Sequence, residues 1–79
     1  MDKHEFEQFV TEHGKDILRF CRMNAGSTER GNELYQDTMV KLLEKQKKLD
    51  AAQNIKSHAM QTAILLWKAR KIRRRNRHF

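Results

Sequence analysis

No proline interrupts the 79 residues, and the apolar side chains recur at intervals of three and four. Proline would break a helix from within, through its missing N–H and its ring clash. Glycine, the other common interruption, occurs only three times. Helices are therefore the default, and no stretch alternates as a half-buried strand would. Phe6, Phe9, Val10, His13, Ile17, Phe20 and Cys21 predict a first helix from about Lys3 to Met23. Asp2 serves as its N-cap, and Glu5 and Glu7 suit the positive end of its dipole. Asn24-Ala25-Gly26 ends it, since Gly26 can take a left-handed conformation. Ser27 or Thr28 caps a second helix that runs to about Lys48. Its core stripe is Tyr35, Met39, Leu42 and Leu49, with Leu34 and Leu43 beside it. Residues 49–54 read as a loop. A third helix starts at Ile55 or Lys56 and reaches about Arg75, with Met60, Ala63, Ile64 and Trp67 as its core stripe. The expected fold class is all-α, a small three-helix bundle, with residues 1–79 as a single domain.

A chain of this length buries only about 60% of the surface that its unfolded form exposes, which leaves little room for an enzyme pocket and its supporting shell. Its single cysteine, Cys21, excludes an internal disulfide and fits a reducing compartment. Cys21 lies on the apolar face of its helix and reads as a small buried hydrophobe. His4, His13, His58 and His78 have no short ligand spacing among themselves or with Cys21, so no metal is expected. Nothing reads as a nucleophile–base pair, a phosphate-binding glycine loop or a convergent carboxylate pair. The sequence thus predicts no catalytic residue, no cofactor, no small-molecule substrate and no enzyme. The longest apolar run, Ala63 to Trp67, falls far short of the roughly 20 residues that span a bilayer. The charged N-terminus lacks a signal core. No membrane partner is expected, and the expected location is cytoplasmic.

The formal charge is +7, and it is unevenly placed. Residues 1–40 carry five basic against eight acidic side chains, a net of −3, whereas residues 41–79 carry twelve against two, a net of +10. Separate partner surfaces would explain that split. The basic C-terminal end, 68–79, holds Lys68, Arg70, Lys71, Arg73, Arg74, Arg75 and Arg77. Each phosphate neutralised by such a group releases counterions, so this end is suited to gripping a nucleic-acid backbone, with little sequence information of its own. A solvated basic end and a membrane-surface segment are the other readings of the same residues; apolar neighbours for the second are few.

Gly31-Asn32-Glu33-Leu34-Tyr35-Gln36-Asp37-Thr38-Met39-Val40-Lys41-Leu42-Leu43 resembles the second-helix signature of bacterial sigma factors. Leu34, Gln36 and Leu42 match that pattern outright, and Glu33, Asp37, Val40 and Lys41 are close chemical matches. Upstream, Phe6-x-x-Phe9-Val10 and Ile17-Leu18-Arg19-Phe20 resemble the family's opening helix, and Gly26-Ser27-Thr28-Glu29 its acidic turn. Downstream, Ile72 to Arg77 resembles its terminal basic run. The resemblance covers nearly the whole chain and is to conserved region 2 of the extracytoplasmic-function class. It implies a three-helix bundle of the sigma region 2 type. It also implies that Glu33, Gln36, Asp37, Val40 and Leu43 dock on the β′ clamp coiled coil of RNA polymerase. The spacing of Glu33, Gln36, Asp37 and Val40 places them on one helix face, turned away from the core stripe, which is equally the pattern of an ordinary solvated face. The third helix and its preceding loop are the family's readers of the promoter minus-ten element. Gln53, Asn54 and His58 could supply polar contacts to a base there, with Lys68, Arg70, Lys71, Arg73, Arg74, Arg75 and Arg77 on the DNA backbone.

The chain departs from the family where a DNA-facing Arg-Asn pair is replaced by Leu65-Leu66, where Ala59-Met60 replaces Trp-Leu, and where Arg70 replaces Asp. The two leucines suggest a protein partner packed against them, or simple core positions. The chain also stops where a sigma factor usually continues to region 4, the helix-turn-helix domain that reads the minus-thirty-five element. The pattern resembles the two-subunit sigma-O design, in which a small regulatory subunit is a stand-alone region 2. The expected function is a co-sigma subunit that binds the polymerase clamp and promoter DNA beside a separate region-4 partner protein. The alternatives are a region-2 fragment of a one-chain sigma factor, an inhibitor that occupies the clamp, and a sequence-independent nucleic-acid-binding helical protein.

Overall fold

The structure, a computed structural model, describes residues 1–50 and 54–76, with side chains of the last helix described as far as Arg70. Three helices form in chain order: α1 (Lys3–Ala25), α2 (Thr28–Glu44) and α3 (Ile55–Asn76). A short 3-10 turn, Gln46–Lys48, follows α2. Among the described residues there is no strand. The expected all-α, three-helix architecture is the one found.

The helix ends follow from local chemistry. The Asp2 carboxylate accepts the Glu5 backbone N–H at 2.7 Å, and the Glu5 carboxylate reaches back to the Asp2 N–H at 3.5 Å, completing a capping box. That backbone N–H holds the Asp2 carboxyl below its usual pKa. Gly26 closes α1 at φ 78°, a left-handed conformation that a Cβ would penalise. Ser27 Oγ then accepts the Arg30 N–H at 3.2 Å and opens α2. Asn54 caps α3, its Oδ1 accepting the Ser57 N–H at 3.1 Å.

The predicted end of α2 at Lys48 is corrected to Glu44. The chain tightens into the 3-10 turn instead, and Leu49 is buried just after it. Lys45, Lys47 and Lys48 would repel one another along a continued helix, while the tighter turn brings Leu49 back under the core. The Met1 ammonium donates to the Leu49 carbonyl oxygen, tying the start of α1 to this turn.

The core is built from Phe6, Phe9, Ile17 and Cys21 of α1, Leu34 and Leu42 of α2, Leu49, and Ile55, Ala59 and Ala63 of α3. Two predicted stripes are rotated. On α2 the buried line is Gly31, Leu34, Thr38 and Leu42; Tyr35 and Met39 are only partly buried, and Leu43 faces solvent. The reason is proximity to α1: a Cβ on Gly31 would stand 2.4 Å from Arg22 Cα, so only the smallest residue permits that approach. Thr38 tolerates full burial because its hydroxyl donates to the Leu34 carbonyl at 2.8 Å. On α3 the buried line is Ile55, Ala59 and Ala63; of the expected stripe Ala63 is buried, Met60 and Trp67 are partly buried, and Ile64 is exposed. Alanines at the crossing let α3 come close, and Met60 and Trp67 straddle its margin.

Candidate functional site

The buried stripe of α2 fixes what its other side presents. Glu33, Gln36, Asp37, Val40 and Leu43 are all exposed and together make an outward face. Val40 is 52% and Leu43 55% exposed, so two aliphatic side chains three residues apart sit beside a carboxylate pair one helical turn away. A surface of that kind, apolar at one end and acidic at the other, fits a partner with matching apolar and cationic groups.

Arg70 joins this face from α3. Its Nη2 donates to Asp37 Oδ2 at 2.6 Å, and its Nη1 lies 3.5 Å from Glu33 Oε2. Sequence reasoning grouped Arg70 with the nucleic-acid-binding residues; in the fold its guanidinium rests on two of the residues assigned to the polymerase face. No local pattern announces this contact, since the partners lie 33 and 37 positions away in the chain.

The other predicted contacts line α3 and the segment before it. Gln53 and Arg77 lie outside the described residues, and Lys71, Arg73, Arg74 and Arg75 belong to α3 through their backbone alone. Asn54 is exposed, but its carboxamide oxygen is engaged as the α3 cap. His58 is half-buried and lines an open groove with Lys41, Lys45, Thr62, Leu65 and Leu66, near the end of α2. Its backbone carbonyl accepts the Thr62 hydroxyl at 2.9 Å. Lys68 is exposed. The two leucines divide: Leu66 is half-buried against the core, whereas Leu65 is 67% exposed. A 100° step between neighbours on a helix accounts for the difference.

Two further polar ties hold the surfaces in register. Lys56 Nζ donates to Asp16 Oδ2 at 2.9 Å, joining α3 to α1. That hydrogen bond and the ammonium charge lower the Asp16 pKa. Arg22 forks onto Asn32 Oδ1 through Nε at 3.1 Å and Nη2 at 3.0 Å, next to the close approach of Gly31 to the Arg22 backbone.

The chemistry of the interior is quiet. Burial raises the Cys21 thiol above its ordinary pKa, against a smaller opposing effect of the Thr38 hydroxyl. A buried thiol of this kind is not an activated nucleophile. Burial likewise raises the Tyr35 phenol. Among the described residues no three His, Cys, Asp or Glu side chains are grouped to hold a metal ion. No described helix is long and apolar enough to cross a membrane.

A family model described as sigma-70 region 2 matches residues 9–78, which takes in all three helices from the second turn of α1 onward. No curated protein and no solved structure matches the chain.

Proposed function

The chain belongs to the sigma-70 region 2 family, and on that premise we propose that it acts as a co-sigma subunit of RNA polymerase. Region 2 is a non-enzymatic domain of transcription initiation that works with polymerase core and promoter DNA. On the finer reading, α2 docks on the β′ clamp coiled coil through Glu33, Gln36, Asp37, Val40 and Leu43. The segment before α3, α3 itself and the basic end contribute minus-ten contacts through Gln53, Asn54, His58, Lys68, Arg70, Lys71, Arg73, Arg74, Arg75 and Arg77. A separate region-4 protein supplies minus-thirty-five recognition and packs against Leu65 and Leu66. Such a factor acts in the cytoplasm, where the polymerase is.

The observation that carries the reading is the outward face of α2: the residues that resemble the family's clamp contacts are all exposed, and Val40 and Leu43 leave apolar area uncovered. Leu65 supports the partner, because an apolar side chain stands exposed where the family presents a polar one to DNA.

Gln36→Ala combined with Asp37→Ala should weaken binding to the isolated β′ clamp coiled coil while helicity is retained. Polar groups lost from a buried interface cost on the order of 1–3 kcal/mol each. Unchanged affinity in a titration, with unchanged circular dichroism, rejects the docking. Core polymerase with this chain alone should give no specific starts, and a region-4 partner should restore them, because two weak DNA-binding modules on one polymerase raise each other's effective concentration. Specific initiation without the partner rejects the two-protein arrangement.

A further inference from the structure

Arg70 sits at the junction of the two proposed surfaces. It lies on α3 between Lys68 and Lys71, within the basic run, yet its guanidinium is held by carboxylates of α2. Two nitrogens of one fork meet two acids one helical turn apart, so a single cation serves both Glu33 and Asp37. The side chains of Arg70, Asp37 and Glu33 are 29%, 49% and 63% exposed. Ion pairs this accessible to water contribute little to the stability of a fold and exchange partners readily. A long arginine side chain can also swing by rotation about its own bonds without moving the helix.

The charges define two states. With Arg70 in place, the acidic end of the α2 face carries a net −1. A cationic partner side chain arriving there meets a site already occupied. When such a side chain takes the carboxylates, Arg70 is released on a helix whose sequence is rich in basic residues, where a phosphate can receive it.

We propose that Arg70 is an exchangeable counter-ion between the two surfaces: a cationic group of the docking protein displaces it from Glu33 and Asp37, and the freed guanidinium takes a nucleic-acid phosphate. The proposal rests on the clamp-docking reading above and adds to it a coupling carried by one residue. Coupling of this kind is reciprocal, so nucleic acid raises affinity for the clamp by the same factor that the clamp raises affinity for nucleic acid. Only groups with different interactions in the two states can shift the balance, and Arg70 is such a group.

The test uses the full chain, a fluorescent single-stranded oligonucleotide at several salt concentrations, and the β′ clamp coiled coil as the docking probe. Saturating coiled coil should tighten oligonucleotide binding by wild-type protein about five-fold, the lower end of typical couplings. It should also steepen the slope of log K against log salt by about 0.7, one single-strand phosphate contact. Arg70→Gln should abolish both changes. The same variant should bind the coiled coil more tightly than wild type, because the internal competitor is gone; weaker binding would show that Arg70 merely positions the carboxylates and would overturn the exchange. A cycle without the coiled coil gives an independent reading. Glu33→Gln with Asp37→Asn should tighten oligonucleotide binding, and Arg70→Gln should lose more affinity in that background than in wild type. Additive effects would reduce the carboxylates to a distant field and overturn the exchange. Coiled coil that binds both proteins without changing oligonucleotide affinity overturns the exchange and leaves the docking standing; coiled coil that binds neither overturns both. Circular dichroism on each variant separates these outcomes from loss of fold.

Discussion

Where α1 meets α2, the helices approach so closely that a methyl group on Gly31 would collide with the Arg22 backbone, and the space between them is filled by Ile17, Cys21, Leu34 and Thr38, all fully buried. Where α3 meets that pair, the fully buried side chains are one isoleucine and two alanines, Leu66 and Trp67 pack against the core only in part, and charged groups tie the edges: Lys56 on Asp16, and Arg70 on Asp37 and Glu33. The first seam is made of close-packed apolar atoms, which have no substitute partner in water. The second contains groups for which water, salt ions or a binding partner can stand in. On the function proposed above, with a protein on α2 and nucleic acid on α3, the seam with exchangeable partners is the one between the two binding helices.

The largest effect should come from the rigid seam. Ile17→Ala removes a fully buried side chain, and cavities of that kind cost about 2–5 kcal/mol. For a domain this small that is most of its stability, so urea unfolding should begin without a stable baseline. A loss under about 1 kcal/mol would show that α1 and α2 can collapse around the gap, and would break the contrast with α3.

Gly31→Ala comes next. Alanine is favoured over glycine inside a helix by about 1 kcal/mol. Against that, its Cβ would meet Arg22 Cα at 2.4 Å, and backbone atoms do not yield as a flexible side chain does. Overpacking of this sort costs about 1–3 kcal/mol, so the urea midpoint should fall. A raised midpoint would mean that the helices have room to separate.

The interior of the rigid seam should also show itself in alkali. The Cys21 thiol is raised above its ordinary 9.0, so the folded state holds this proton more tightly than the unfolded state does. Its contribution is fully present below pH 9.0 and declines as pH rises through and beyond that value. Cys21→Ala should flatten the decline measured by urea midpoints between neutral and alkaline pH, with the Tyr35 phenol still adding its own loss above 10.0. An unchanged profile would place the thiol in a wetter setting than its burial indicates.

The smallest effect belongs to the adjustable seam. Lys56→Met removes the partner of Asp16, whose carboxyl lies below its usual 3.8. The stabilisation it removes is present above pH 3.8 and is lost as the pH falls through the lowered value of the folded state. Wild type and variant should therefore differ slightly near neutrality at low salt, and converge both in acid and in high salt. A difference that survives high salt would show that the Lys56 aliphatic stem, rather than its charge, fastens α3 to α1.

Much of this fold was legible because its signals are local. Asp2, Gly26 and Ser27 cap and stop helices through atoms within a few residues of themselves, and the structure uses each of them. The interior of α1 follows its apolar spacing, with Phe6, Phe9, Ile17 and Cys21 buried. The stripes of α2 and α3 were less legible. Apolar size favoured Tyr35, Met39, Ile64 and Trp67, but a close helix crossing selects small or self-satisfied residues, and here those are Gly31, Thr38 and Ala59 beside the expected Ala63. The outward face of α2 was visible as a spacing, since Glu33, Gln36, Asp37 and Val40 share a side of any helix containing them.

The sequence by itself determined three helices, where each begins, and a strongly basic second half, because capping, periodicity and charge act over a turn or less of chain. The tertiary structure alone decided how deeply each helix sits, that Leu65 stands in solvent while Leu66 turns inward, and that Arg70 rests on Glu33 and Asp37. Those outcomes depend on the crossing distance of α1, α2 and α3. That distance is set jointly by side chains tens of residues apart, and no window along the chain contains them together.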